Sequence, residues 1–230
     1  MKLSDTGLRR LDERLFACVV PVASTAVTPR DDEASCIADS TPRRRAQFVA
    51  GRDAARQVMI ALGRSACSVG CGDGGEPLFP ADLRGSISHT RELAIALIGD
   101  ASEYCSVGVD IDDSRPLGEA AALGVTWQSE VALIQQVMNL AAASEAQNFA
   151  LSAKEAIFKC QYLLTFNSKL SALQARLLAN PNLPGELVVA GWRVAPATSE
   201  VLARVRVKRL ILAAHPVALA LIPRSGCGTP

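Results

Sequence analysis

The sequence predicts an α+β fold in two halves. Three observations carry this: a long helical pattern after Pro42, a second near 144–163, and apolar runs of strand length around both. The first helix spans about residues 44–62 and stops at Gly63. Phe48, Ala55 and Met59 recur there at helical spacing and mark the core face. Arg45, Arg52 and Arg56 fall at i, i+7 and i+11 and form a basic stripe on another face. A solvated helix surface explains such a stripe as readily as a binding role. Residues 1–40 read as irregular, with a strand-like run at 15–20. Gly70, Gly72, Gly74, Gly75, Pro77 and Pro80 punctuate a loop. Residues 93–99 and 106–112 follow as strands. After Pro116 come helical segments at about 128–142 and 144–163. A last group of strands occupies about 187–222, with turns near Gly185 and Gly191, and the residues from 224 on read as a loose tail.

Bulk composition narrows the function classes. The chain has 230 residues, 49% hydrophobic and 20% charged, which suits a globular protein with a sizeable core. Its net charge of +1 does not suit a nucleic-acid partner, so any polyanion site must be local. The first residues lack the apolar run of a secretory signal, and no apolar stretch is long enough to span a bilayer. With seven cysteines and no such signal, reduced thiols and a cytoplasmic location are expected. Cys67 and Cys71 have no second pair nearby and read as isolated thiols, not a zinc site.

Three motifs carry chemistry. In Gly108-Val109-Asp110-Ile111-Asp112, strand alternation points Val107, Val109 and Ile111 into the core. Asp110 and Asp112 then project together on the other face, with Gly108 leaving open space beside them. Carboxylates so close repel unless a cation lies between them, and a hard cation such as Mg²⁺ prefers oxygen ligands. A surface turn into Asp113 is the bland alternative. In Ser152-Ala153-Lys154-Glu155-Ala156-Ile157-Phe158-Lys159, Glu155 and Lys159 stack one helical turn apart. They suit a third metal carboxylate and a phosphate-holding ammonium, or an ordinary surface ion pair. In Gly85-Ser86-Ile87-Ser88-His89-Thr90, a histidine among hydroxyls suits an anion site or a satisfied cap.

Together and in order, these motifs resemble the 4′-phosphopantetheinyl transferase superfamily, and within it the siderophore-synthetase-associated bacterial branch. Arg44-Arg45-Ala46-Gln47-Phe48-Val49-Ala50-Gly51-Arg52 resembles that branch's first helix, and Glu76-Pro77 with Gly85–Thr90 its coenzyme A loop. Gly108–Asp112 resembles its metal strand and Leu151–Lys159 its signature helix, with Thr165-Phe166 following.

The resemblance implies two pseudo-twofold-related halves, residues 1–100 on the nucleotide side and 101–230 on the metal and catalytic side. Coenzyme A would lie in the cleft between them. It implies Mg²⁺, with Mn²⁺ as an alternative, on Asp110, Asp112 and Glu155. A serine of an apo acyl or peptidyl carrier protein would attack the β-phosphate of coenzyme A and release 3′,5′-ADP. Lys159 would hold the α-phosphate, and Glu155 would take the serine proton. His89 would meet the 3′-phosphate, Ser88 and Thr90 would shape the adenine pocket, and Arg52 or Arg45 would add charge there. Lys154 points to another side of its helix. A chain holding both halves has no need to dimerise, so a monomer is expected, serving nonribosomal or siderophore synthesis.

Several positions depart from the branch's pattern. Asp112 stands where glutamate is usual, Gly75 where a basic residue is common, Phe79 for a tryptophan and Leu151 for an aromatic. Two rival readings remain open: a metal-dependent phosphodiesterase, and a non-catalytic coenzyme A or carrier-protein binder.

Overall fold

The computed structural model of the chain describes residues 7–22, 28–113, 115–126, 129–167, 174–192 and 199–224. The expected tail beyond Arg224 and the N-terminal residues before Gly7 lie outside that range. The chain is α+β and divides into two compact units, Met1–Val107 with Pro223–Pro230, and Gly108–Ile222.

The first unit is built on a four-stranded sheet. Its strands are β1 (Gly7–Arg10), β2 (Leu15–Pro21), β5 (Leu83–His89) and β6 (Leu93–Asp100), in the order β1-β2-β6-β5. The pairs are antiparallel, with Cys18 opposite Ala96 and Ile87 also opposite Ala96. β6, with a strand on each side, is almost completely buried. A short helix, α1 (Asp31–Ala34), precedes the long helix α2 (Pro42–Ala61). Thr41 caps α2 by accepting from the Arg44 amide at 3.3 Å, and Pro42 fills the first turn where no amide is needed. Ala50, Ala54, Ala55, Val58 and Met59 pack with Cys18, Val20, Ala94, Ala96 and Ile98 in one core cluster. Phe48 lies in a smaller cluster with Ile37 and Val49. The Gly/Pro-rich loop holds a two-stranded hairpin, β3 (Gly70–Cys71) with β4 (Pro77–Leu78).

Two of the three arginines of the basic stripe on α2 are not solvated, and only Arg45 is exposed. Arg52 and Arg56 are buried. Arg56 pairs with the buried Glu33 at 2.8 Å. Arg52 donates to the carbonyls of Val69 at 3.0 Å and Gly70 at 3.2 Å, and lies 3.8 Å over the Phe48 ring. The physical reason is that the segment after α2 folds back over this face and leaves its carbonyls to be satisfied there.

The second unit carries β7 (Tyr104–Ile111), which begins in the first, then α3 (Glu119–Val125), α4 (Glu130–Met138) and α5 (Ala143–Thr165). Strands β8 (Ala175–Ala179), β9 (Glu186–Trp192), β10 (Arg206–Leu212) and β11 (His215–Pro223) follow, with the short helix α6 (Ser199–Leu202) before β10. Their sheet has the order β7-β11-β10-β9-β8. Gly185, at φ +78°, forms the expected turn, but Gly191 lies inside β9, paired with Arg176.

Against the expectation of reduced thiols throughout, Cys105 is disulfide-bonded. Cys18, Cys36, Cys67, Cys71 and Cys160 are free. An odd count does not encode which sulfurs approach each other in space. Cys67 donates to the Met59 sulfur at 3.7 Å, whereas Cys71 accepts from Arg52 at 3.3 Å, so the two are separate thiols as read from the sequence. Among the described residues no helix is long and apolar enough to cross a membrane.

Candidate active site

The acidic centre begins with a glycine. Val107, Val109 and Ile111 are buried on one face of β7, as alternation predicts. Gly108 and Asp110 lie on the opposite face. That face is not open space, as the sequence suggests, because α5 covers it. A Cβ on Gly108 would sit 2.0 Å from the Ala156 carbonyl oxygen and 2.8 Å from the Cys160 nitrogen. The missing side chain therefore lets helix backbone meet strand backbone. One turn of α5 then reaches Asp110.

Lys159 donates to Asp110 Oδ1 at 2.7 Å and to the Val109 carbonyl at 3.0 Å. Glu155 shares a hydrogen bond with Asp110. Partial withdrawal from water, and next the charge of Asp110, push the Glu155 carboxyl up to about 7; Lys159 opposes the rise. The residue as a whole still reaches the surface. Two neighbouring carboxyl groups, with an ammonium beside them, have the oxygen-rich chemistry that a hard cation satisfies. Asp112 leaves β7 one residue past its end, its amide donating to the Pro216 carbonyl at 3.0 Å. Among the described residues no three His, Cys, Asp or Glu side chains gather closely enough to hold a metal. Of the expected triad, the structure brings Asp110 and Glu155 together.

Lys154 faces away from this centre. It is fully buried, donating to Glu130 Oε2 at 2.9 Å and to the Val125 carbonyl. Glu130 Oε1 in turn accepts from the Leu177 amide at 2.7 Å.

In the first unit, His89 ends β5, with Ser88 buried before it and Thr90 after. The residue that meets His89 is Arg44, whose guanidinium contacts the imidazole Nε2. Gln47 donates to the Thr90 carbonyl at 2.9 Å. Arg45, expected here, instead donates to the carbonyls of Ser40 at 3.1 Å and of Ala38. Arg52 is taken up by the carbonyls described above. The α2 side facing β5 carries Arg44, Gln47 and Gly51, at i, i+3 and i+7. A Cβ on Gly51 would lie 2.6 Å from the Ile87 side chain, so this side must run close to β5. A glycine inside a helix was the available signal for Arg44, and the arginine spacing pointed elsewhere.

Residues 32–99 match the family described as the 4′-phosphopantetheinyl transferase N-terminal domain. These residues and the relatives below make the chain similar to the 4′-phosphopantetheinyl transferase superfamily. It is 31% identical over 139 residues to 4′-phosphopantetheinyl transferase PptT of Mycobacterium tuberculosis, covering 60% of each chain. It is 27% identical over 133 residues to a 4′-phosphopantetheinyl transferase of Nocardia iowensis, covering 58% of this chain and 59% of that one. It is 40% identical over 118 residues to enterobactin synthase component D of Salmonella austin, covering 51% of this chain and 47% of that one. The chain thus spans about half to three fifths of the length of these curated relatives. The superfamily resemblance read from the sequence is borne out, including the link to relatives named for a siderophore synthase.

Proposed function

We propose that this chain transfers the 4′-phosphopantetheine arm of coenzyme A to a serine of an apo acyl or peptidyl carrier protein, releasing 3′,5′-ADP. The observation that carries the reading is the Asp110–Glu155–Lys159 cluster, two carboxyl groups and an ammonium held together by the Gly108 contact. The superfamily comparisons supply its context.

Asp110 and Glu155 would hold Mg²⁺, or Mn²⁺. One or two carboxylates suffice when substrate phosphates complete the shell, and Asp112 would join through water. When bound, the cation supplies charge neutralisation at the pyrophosphate. Lys159 would turn its ammonium from Asp110 to the α-phosphate and steady the leaving group. Glu155, near neutrality in its proton affinity, would accept the serine proton as the oxygen attacks the β-phosphate. His89 and Arg44, side by side at the amino end of α2, would take the 3′-phosphate. Ser88 and Thr90 would border the adenine.

Mixing the protein with coenzyme A, Mg²⁺ and an apo carrier, then weighing the carrier, tests this. The carrier should gain one phosphopantetheine, and Asp110→Ala should abolish the gain while the protein stays folded. Hydrolysis of coenzyme A without carrier would favour a phosphodiesterase, and binding without mass gain a non-catalytic binder. Full activity of Asp110→Ala would remove the acidic centre from the reaction.

A further inference from the structure

On α5, Glu155, Lys159, Tyr162 and Phe166 follow at spacings of four, three and four, so they share one side of the helix. Phe158 lies beside them. Its ring is 5.9 Å from that of Tyr162, and the Tyr162 ring is 5.9 Å from Phe166 in an edge-on arrangement. The ladder ends in water: Phe166 is 67% exposed. Its backbone is also left-handed, at φ 51°, in the helix-capping position where glycine or asparagine fits with least cost. A bulky aromatic there gains little packing within the chain and runs against the local backbone preference. Such a conflict between local rules and residue choice points to a use outside the fold. At 1.5 Å per residue, Phe166 lies about 10 Å beyond Lys159 along the helix.

We propose that Phe166, backed by Tyr162, is an anchor on which the acceptor carrier protein docks, through an apolar patch about 10 Å from its acceptor serine. This rests on the transferase reading above. The acceptor in that reaction is a macromolecule whose hydroxyl must be delivered to Asp110 and Lys159, so its surface must be held beside them. Exposed aromatic side chains are the residues that anchor protein interfaces. Other exposed apolar residues, such as Ile60 on α2 and Ile211 on β10, lie on other elements and have no such continuity with the acidic centre.

The test uses Phe166→Asn, which keeps a residue suited to the left-handed cap and removes the ring. Transfer is measured with apo carrier and coenzyme A varied separately, and carrier binding is titrated without coenzyme A. The KM for carrier should rise about tenfold or more, with the KM for coenzyme A and kcat within about twofold. An unchanged carrier KM and affinity overturns the docking site. So does a wild-type dimer that Phe166→Asn dissociates without altering carrier affinity, since the patch then joins two copies of this chain. If the wild type binds carrier through Phe166 but transfers nothing, docking stands and the transferase reading falls. If it neither binds nor transfers, both fall.

Discussion

At Glu155 a carboxylic acid sits between a carboxylate that raises its proton affinity and an ammonium that lowers it. Burial and Asp110 win, holding it at about 7 against an ordinary 4.5. An acid whose folded pKa lies above its unfolded value holds its proton more tightly in the native state between the two. The metal-free protein should therefore lose stability as pH rises from about 4.5 to about 7 and level off above that. Thermal unfolding in chelator across that window checks this, and Glu155→Gln should flatten the slope. Arg44 makes a second prediction at this scale. Arg44→Ala should raise the KM for coenzyme A about tenfold while kcat changes little, because it removes one charged contact to substrate and none to the reacting atoms. Steady-state transfer kinetics decide it, and Arg45→Ala, whose guanidinium serves nearby carbonyls, should leave that KM near wild type. Glu155 and Lys159 were legible as a pair from their spacing alone. Their approach to Asp110 was not legible from spacing, since it crosses about fifty positions of sequence, and only the resemblance of the ordered motifs implied it.

Between elements, the decisive contact is α5 on β7. Gly108→Ala pushes a methyl into helix backbone, which cannot rotate aside as a side chain would. It should cost about 1–3 kcal/mol and lower transfer activity, because the helix must retreat from Asp110. Chemical denaturation read beside activity checks both halves of that statement. The β10–β11 hairpin shows an opposite case. Leu212 pairs with His215 across a two-residue turn, and both turn residues, Ala213 and Ala214, have positive φ. That geometry favours Asn-Gly, and each alanine bears a left-handed cost of about 1–2 kcal/mol. Replacing Ala213 with Asn and Ala214 with Gly together should raise stability by about 1–2 kcal/mol, measured by the denaturation midpoint. The two adjacent alanines hide this turn from a sequence reading, because turns are recognised by the residues that ease them.

For the second unit as a whole, the buried Lys154–Glu130 pair joins α5 to the start of α4 and, through the Leu177 amide, to β8. Removing one partner leaves a charge stranded without water. Glu130→Ala should destabilise the protein by about 3–5 kcal/mol, read from equilibrium unfolding. The neighbouring residues Lys154 and Glu155 thus divide their contacts, one pairing with Glu130 in the interior and one standing beside Asp110.

Local pattern alone determined the α+β class, the two long helices, strands at about 15–20, 93–99 and 106–112, and the superfamily resemblance. Those follow from periodicity, capping and ordered motifs, which short stretches of chain encode. Only the tertiary structure decided that Arg44 meets His89, that Gly108 admits a helix instead of leaving space, and that Arg52 and Arg56 are drawn into the interior. The reason is physical: a charged side chain goes to whichever carbonyl, ring or carboxylate folding brings within reach, and that partner is chosen by packing between distant segments.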